Sequence, residues 1–213
     1  MLTLFNYPAS ENAWKVRQLL QHLQLPYRTV NISVFEGEGR TADYQRISPT
    51  GTVPAIQLDD GRTLAESNAI LFFLATDTLY LPADAFGRAK VQQWLSFEQE
   101  RVESVIGSLR YWTLTGKLER RAPALIEMKR KSGLRTLEIL DRELADRPFL
   151  TDHGYSIADI SIFAYGSHAE EAGFSLQPYP HVRAWIERVK SQPAFLATPH
   201  AYSDDPHSAG ELP

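Results

Sequence analysis

Thr50-Gly51-Thr52-Val53-Pro54-Ala55-Ile56 and, further on, Leu64-Ala65-Glu66-Ser67-Asn68-Ala69-Ile70 decide how this chain folds. Between them lies Asp59-Asp60-Gly61, a hairpin-turn signal flanked by short apolar runs. The order is extended Val-Pro, strand, tight turn, strand, then Glu66-Ser67 opening an apolar helix. Such an order sets a backbone rim beside a helix N-terminus. That suits a small peptide with a free carboxylate, because unpaired N–H groups and the helix dipole both attract an anion.

The residues on either side extend the pattern. Leu2–Phe5 is a short apolar strand, and Tyr7–Asn12 is a loop. Ala13–Leu23 is helical, with Val16, Leu19, Leu20 and Leu23 at i, i+3, i+4 and i+7, and Pro26 closes it. Tyr27–Ile32 is a second strand, parallel to the first because a helix connects them. Glu36-Gly37-Glu38-Gly39-Arg40 is a polar loop, and Ala42–Ile47 a short irregular helix. Ser67–Thr76 is a helix with Ile70, Leu71 and Leu74 inward. The first 77 residues thus read βαβ, then αββα, as one α/β domain.

Beyond residue 80 the pattern is all-helical. Helices are expected over 87–113, 124–144, 156–171 and 182–190, so that 84–198 forms a helical domain. Residues 199–213 are polar, contain Pro and Gly, and read as a surface tail. Ser156-Ile157-Ala158-Asp159 carries a capping box that serves folding: Ser156 accepts from the helix backbone and Asp159 reaches back.

Bulk composition removes several function classes. A hydrophobic content of 43% and a charged content of 23% are those of a globular protein. A net charge of −4 gives no electrostatic reason to expect nucleic acid. No apolar run approaches the ~20 residues of a membrane span, and Met1-Leu2-Thr3-Leu4-Phe5 has no signal-peptide character. Cysteine is absent, which excludes disulfides, thiolate metal sites and a protein-thiol nucleophile, and fits the cytoplasm. His168, His181 and His207 show no metal-ligand spacing, so no metal is expected.

Four phrases in order carry a resemblance: Ser10 followed by Lys15-Val16-Arg17; Pro49-Thr50-Gly51-Thr52-Val53-Pro54; Glu66-Ser67-Asn68-Ala69-Ile70; and Ser156-Ile157-Ala158-Asp159. Together, over residues 1 to 195, they resemble the cytosolic glutathione S-transferases, in their bacterial, serine-type form. The resemblance implies a thioredoxin-like N-terminal domain, an all-α C-terminal domain and a homodimer. Glutathione is the implied co-substrate. The implied activity is conjugation of its thiolate to small electrophiles, with peroxide reduction beside it.

Site residues follow from the same likeness. Val53, before Pro54 in a cis bond, would pair its backbone with the cysteinyl part of glutathione. Ser67 and the helix start would take the γ-glutamyl carboxylate, with Glu66 accepting from the ammonium. Arg40 is a candidate for the glycyl carboxylate, since its fork bonds both oxygens; a solvated Arg40 is the alternative. Ser10 is the catalytic candidate, a hydroxyl at a helix N-terminus donating to the thiolate. Asn12 and Tyr7 are the competing donors. Tyr7, Tyr111 and Trp112 would line the electrophile pocket, although aromatics on such a helix also serve as core. Two departures narrow the class. No cysteine stands in the loop, so omega- and beta-like thiol chemistry is unavailable. Ser10-Glu11-Asn12 replaces the zeta-like Ser-Ser-Cys, although Trp14-Lys15-Val16-Arg17 is similar to that class. The competing reading is a fold of this kind used for protein interaction or for holding ligands without turnover.

Overall fold

The computed structural model describes residues 1–197 and 200–210. They form two compact units: Met1–Thr76 together with the chain from Pro193 onward, and Asp77–Gln192.

The first unit is a four-stranded sheet ordered β2-β1-β3-β4. Its strands are β1 (Leu2–Asn6), β2 (Tyr27–Asn31), β3 (Ala55–Gln57) and β4 (Thr63–Ala65). β1 pairs parallel to β2 and antiparallel to β3, and β3 pairs antiparallel to β4. The helices are α1 (Glu11–His22), α2 (Ala42–Gln45) and α3 (Ser67–Ala75). Adjacent residues of a strand point to opposite faces, and the core divides accordingly. Leu4 and Ile56 pack with Val16, Leu20 and Ile70 on the α1/α3 side. Phe5 and Ala55 pack with Ile32 and Tyr44 on the other. The hairpin turns where Asp60-Gly61 places it: Gly61 has φ +86°, and Leu58 N–H donates to Arg62 O at 2.8 Å. A side chain at that φ would be strained.

The second unit holds α4 (Ala85–Phe97), α5 (Ser108–Leu114), α6 (Pro123–Glu143), α7 (Ile157–Gly166) and α8 (Pro180–Lys190). The expected single helix over 87–113 is continuous but not uniform. Between α4 and α5, Glu98–Gly107 winds as a π-helix. The hydroxyls of Ser104 and Ser108 bond back to the carbonyls of Glu100 and Ser104 there, competing with the helical ladder. The carboxylate of Glu98 is buried in the widened turn and accepts from Ser161 Oγ at 3.2 Å. The helix expected over 156–171 ends at Gly166, and turns follow it.

The capping box forms. Asp159, fully buried, accepts from the N–H groups of Ser156 and Leu150 at 3.0 Å each. It also takes the indole N–H of Trp185 at 2.9 Å. One carboxylate therefore ties the start of α7 to α8 and to the preceding loop. Burial raises its pKa to about 6, against the lowering effect of those donors.

The end of the chain leaves the helical unit earlier than the expected boundary at 198, and its expected surface tail is bound to the first unit. It leaves the second unit at Gln192 and packs with the first. Gln18 holds it from both ends of its amide: Nε2 donates to Ala194 O at 3.2 Å, and Oε1 accepts from Leu196 N at 2.7 Å. Trp14 adds an indole N–H to Leu196 O and an edge contact with Phe195. These partners lie on one turn of α1, so that turn faces the returning chain rather than solvent. Among the described residues no helix is long and apolar enough to cross a membrane.

Candidate active site

β1 delivers the chain to Asn6, and Tyr7-Pro8-Ala9 carries it to Ser10, the N-cap of α1. Ser10 has an extended backbone (φ −75°, ψ 120°), and its Oγ accepts from Ala13 N–H at 3.2 Å. A hydroxyl that accepts on this side keeps its own proton to donate elsewhere. The loop is braced from beneath by Arg17, whose guanidinium donates to Pro8 O at 3.1 Å and to Asn6 Oδ1. Asn6 is held in turn by Asn31 at 2.9 Å. This bracing role of Arg17 was not read from the sequence, although the Lys15-Val16-Arg17 phrase contains it.

Ser67 lies at the first helical position of α3 and is buried. The N-cap is Glu66, whose side chain makes no capping bond. Ser67 therefore does not cap α3. Its hydroxyl donates to Asn12 Oδ1 at 3.2 Å, across 55 residues of sequence. That bond joins the first turn of α1, which Ser10 caps, to the start of α3. Glu66 is exposed and has φ 69°, ψ 113°. A glutamate at positive φ costs about 1–2 kcal/mol, and strain of this sort collects at functional sites.

The third wall is the rim before β3. The Val53–Pro54 bond is cis. Among the described residues neither the N–H nor the C=O of Val53 has a hydrogen-bond partner. The preceding carbonyl, Thr52 O, is held by two hydroxyls, Tyr44 Oη at 2.8 Å and Ser48 Oγ at 2.9 Å. Burial pushes the Tyr44 phenol up to about 12, which keeps the proton it donates.

Arg40 is exposed, and its loop is placed by two glycines. A Cβ on Gly39 would lie 2.2 Å from Gly51 O, and one on Gly51 would lie 2.3 Å from Gly39 O. Gly51 also has φ +69°. Only glycines allow the two backbones to touch, and that contact seats the Arg40 loop against the Thr50–Thr52 segment. The pairing joins positions far apart in sequence, so no local signal announces it.

The three aromatic candidates separate. Tyr7 is buried, and its hydroxyl donates to Asp205 Oδ2 at 2.9 Å, so that proton is committed. Tyr111 and Trp112 belong to α5 in the second unit. Lys117 Nζ sits 4.6 Å over the Tyr111 ring and bonds its hydroxyl. Arg121 and Lys129 lie 5.1 and 5.5 Å from the centre of the Trp112 ring. Both rings thus engage cations of their own unit.

A thioredoxin-like sheet carrying a serine at the α1 N-terminus, a cis Val-Pro rim and a strained Glu-Ser at α3 defines a glutathione-binding class. The match to known proteins agrees. Residues 9–77 match the glutathione S-transferase N-terminal domain and 123–188 its C-terminal domain. The chain belongs to the glutathione S-transferase family. It is 30% identical to the disulfide-bond oxidoreductase YfcG of Escherichia coli, over 91% of this chain and 92% of that one. A glutathione S-transferase structure from Pseudomonas fluorescens is 35% identical and superposes with a TM-score of 0.88, over 92% of this chain and 98% of that one. A glutathione transferase from Burkholderia graminis, solved with two glutathione molecules bound per subunit, is 28% identical with a TM-score of 0.78, over 91% and 85%.

Proposed function

We propose that this glutathione S-transferase holds the glutathione thiolate at Ser10 and transfers it to small electrophiles. The observation that carries the reading is the Asn12–Ser67 bond at the helix start that Ser10 caps. A hydroxyl with its proton to give stands at the N-terminus of α1, and the Ser67–Asn12 side-chain bond ties the first turn of that helix to the start of α3. The γ-glutamyl carboxylate sits at Ser67 and the first N–H groups of α3, the ammonium at Glu66. The cysteinyl backbone pairs with Val53, and the glycyl carboxylate with Arg40. Binding of the carboxylate draws the Ser67 hydroxyl away from Asn12, whose amide then turns to the sulfur as a second donor.

The chemistry is ionisation, then attack. The thiol proton leaves to solvent, and the hydroxyl bond and α1 dipole stabilise the sulfur anion. With an aryl chloride, a C–S bond forms as the C–Cl bond breaks, and chloride departs with its electron pair. With an organic hydroperoxide, two glutathiones become the disulfide while the peroxide yields alcohol and water. The protein works as a homodimer in the cytoplasm, in detoxification.

Glutathione titration with a melting readout tests the binding half. At 100-fold excess over its dissociation constant the stabilisation is about 2.7 kcal/mol. Conjugation of 1-chloro-2,4-dinitrobenzene and reduction of cumene hydroperoxide test the catalytic half. Absence of any melting shift at millimolar glutathione would overturn the reading in favour of an interaction module.

A further inference from the structure

We propose that Tyr44 and Ser48 are positioning residues for glutathione: their hydroxyls lock the Thr52–Val53 peptide plane, so that the Val53 N–H is held ready for the cysteinyl carbonyl of the tripeptide. The inference rests on the glutathione reading above and adds to it two side chains that touch no ligand atom.

The geometry is that of one flat group gripped along one side. Among the described residues Val53–Pro54 is the one cis bond, so the Thr52–Val53 peptide is trans. A trans peptide is planar, and its C=O and N–H point in opposite directions. Fixing one therefore aims the other. Thr52 O accepts from Tyr44 Oη at 2.8 Å and from Ser48 Oγ at 2.9 Å. One donor satisfies the carbonyl. The second takes its other lone pair, so the plane cannot turn without breaking both bonds. Val53 N–H leaves on the opposite side, where among the described residues nothing accepts it. Pro54 has no N–H, so Val53 supplies the one backbone donor between Thr52 and Ala55.

The grip is buried and rooted in the sheet. Tyr44 is 4% exposed and Ser48 0%. Tyr44 lies on α2, and its ring meets Phe5 of β1 edge-on at 5.8 Å. Its backbone O accepts Ser48 N–H at 2.9 Å, and Ser48 O accepts Gly51 N–H at 2.8 Å. Ser48 thus holds the following turn at both ends, by its carbonyl and by its hydroxyl. The hydroxyls of Thr50 and Thr52 lie 2.8 Å apart on exposed residues and leave the Thr52 carbonyl to the two buried donors. Hydroxyls suit this task because they donate without setting a charge beside the rim. An N–H fixed before the ligand arrives loses little freedom on binding, and that preorganisation appears as affinity.

The test uses Tyr44→Phe, Ser48→Ala and the double variant of the full chain. Each substitution deletes one oxygen, and Tyr44→Phe keeps the ring against Phe5. The double variant should raise the glutathione Kd by about 3–10-fold, the worth of one neutral hydrogen bond, and each single variant by about 2-fold. In conjugation of 1-chloro-2,4-dinitrobenzene, KM for glutathione should rise with Kd. The kcat and the pKa of the bound thiol should hold, because Ser10 serves the sulfur in the reading above. With 15N-valine labelling, saturating glutathione should move the Val53 amide proton downfield in wild type and by less in all three variants. A pair that only stabilised the turn would lower the melting temperature and leave that shift whole. An unchanged Kd in the double variant, a fall in kcat at unchanged KM, or a full Val53 shift in every variant would overturn the proposal. Failure of the glutathione reading looks different: wild type would then neither bind glutathione nor move its Val53 amide.

Discussion

Replacing Ser10 with alanine separates two effects of one hydroxyl. The first is structural. Ser10 Oγ caps α1 through Ala13 N–H, and at 3.2 Å the bond is long. Loss of an N-cap costs about 0.5–2 kcal/mol, and a long bond belongs near the middle or below, about 1 kcal/mol. For a chain of this size that lowers the melting temperature by about 2–4 °C. The second effect is chemical. A hydrogen bond to a charged group contributes about 1.5–3 kcal/mol. Each pKa unit corresponds to about 1.4 kcal/mol, so the bound thiol should titrate about 1–2 units higher in the variant. Below both pKa values the conjugation rate falls by the same factor, about 10–100-fold. Above both, the thiolate forms without help and the deficit shrinks. A donor to the sulfur anion therefore shifts the pH–rate profile to higher pH, whereas a merely structural defect lowers it evenly. The assay is thiolate absorbance and conjugation rate against pH, for wild type, Ser10→Ala and Ser10→Thr; threonine retains both cap and donor. Glutathione affinity should change little, because the proposed recognition contacts are Val53, Ser67 and Arg40. An unmoved thiolate pKa in Ser10→Ala, with a large rise in Asn12→Ala, would transfer the role to Asn12.

Four further outcomes follow from the geometry. Ser67→Ala should weaken glutathione binding by about 1–3 kcal/mol through loss of a donor to a carboxylate; because Ser67 is not the α3 cap, the melting temperature should fall by less than in Ser10→Ala. Gly51→Ala should destabilise by about 2 kcal/mol or more, since it adds positive-φ strain to a Cβ 2.3 Å from Gly39 O, and glutathione titration should show weaker binding as the Arg40 loop is displaced. Asp159→Ala should cost about 3–5 kcal/mol in denaturant unfolding, because the Leu150, Ser156 and Trp185 donors are left buried and unpaired. Asp159 also carries a pH signature: its folded pKa, raised from 3.8 to about 6, lies above the unfolded value, so its contribution is most favourable below about pH 4 and falls by up to about 3 kcal/mol as pH rises through 6, a slope that Asp159→Asn should flatten in urea melts at pH 4, 5, 6 and 7.

What the sequence made legible was local chemistry. The apolar spacing of α1, the Asp60-Gly61 turn and the Ser156/Asp159 box each act within a few residues, and each stands where the pattern put it. The candidate site residues stood out for the same reason: Ser10, Val53-Pro54 and Glu66-Ser67 each lie at a boundary between elements, where a cap, a proline or a helix start leaves a signature. The π-winding of Glu98–Gly107 was not legible, because apolar spacing marks the buried face of a helix without fixing its hydrogen-bond register. Nor was the cap of α3, since Ser67 is a good capping residue whose hydroxyl found a partner 55 residues away.

The C-terminal segment shows where local reading ends. His200 to Gly210 contain acids, histidines and small residues, a composition that suits a solvated tail. Its order comes from partners nearly two hundred residues earlier: Gln18 and Trp14 on α1 receive the chain, and Tyr7, Phe35 and Glu36 fix its end. Each of those residues has a sufficient local explanation of its own, as helix face, loop or surface charge, so none signals a distant partner. The consequence reaches the chemistry. Tyr7 was a candidate proton donor while its hydroxyl was unassigned; with that hydroxyl donating to Asp205, Tyr7 becomes a fastening for the segment, and Ser10 and Asn12 remain the proposed donors for the sulfur. The distant end of the chain thereby bears on which residue near its start can do the chemistry.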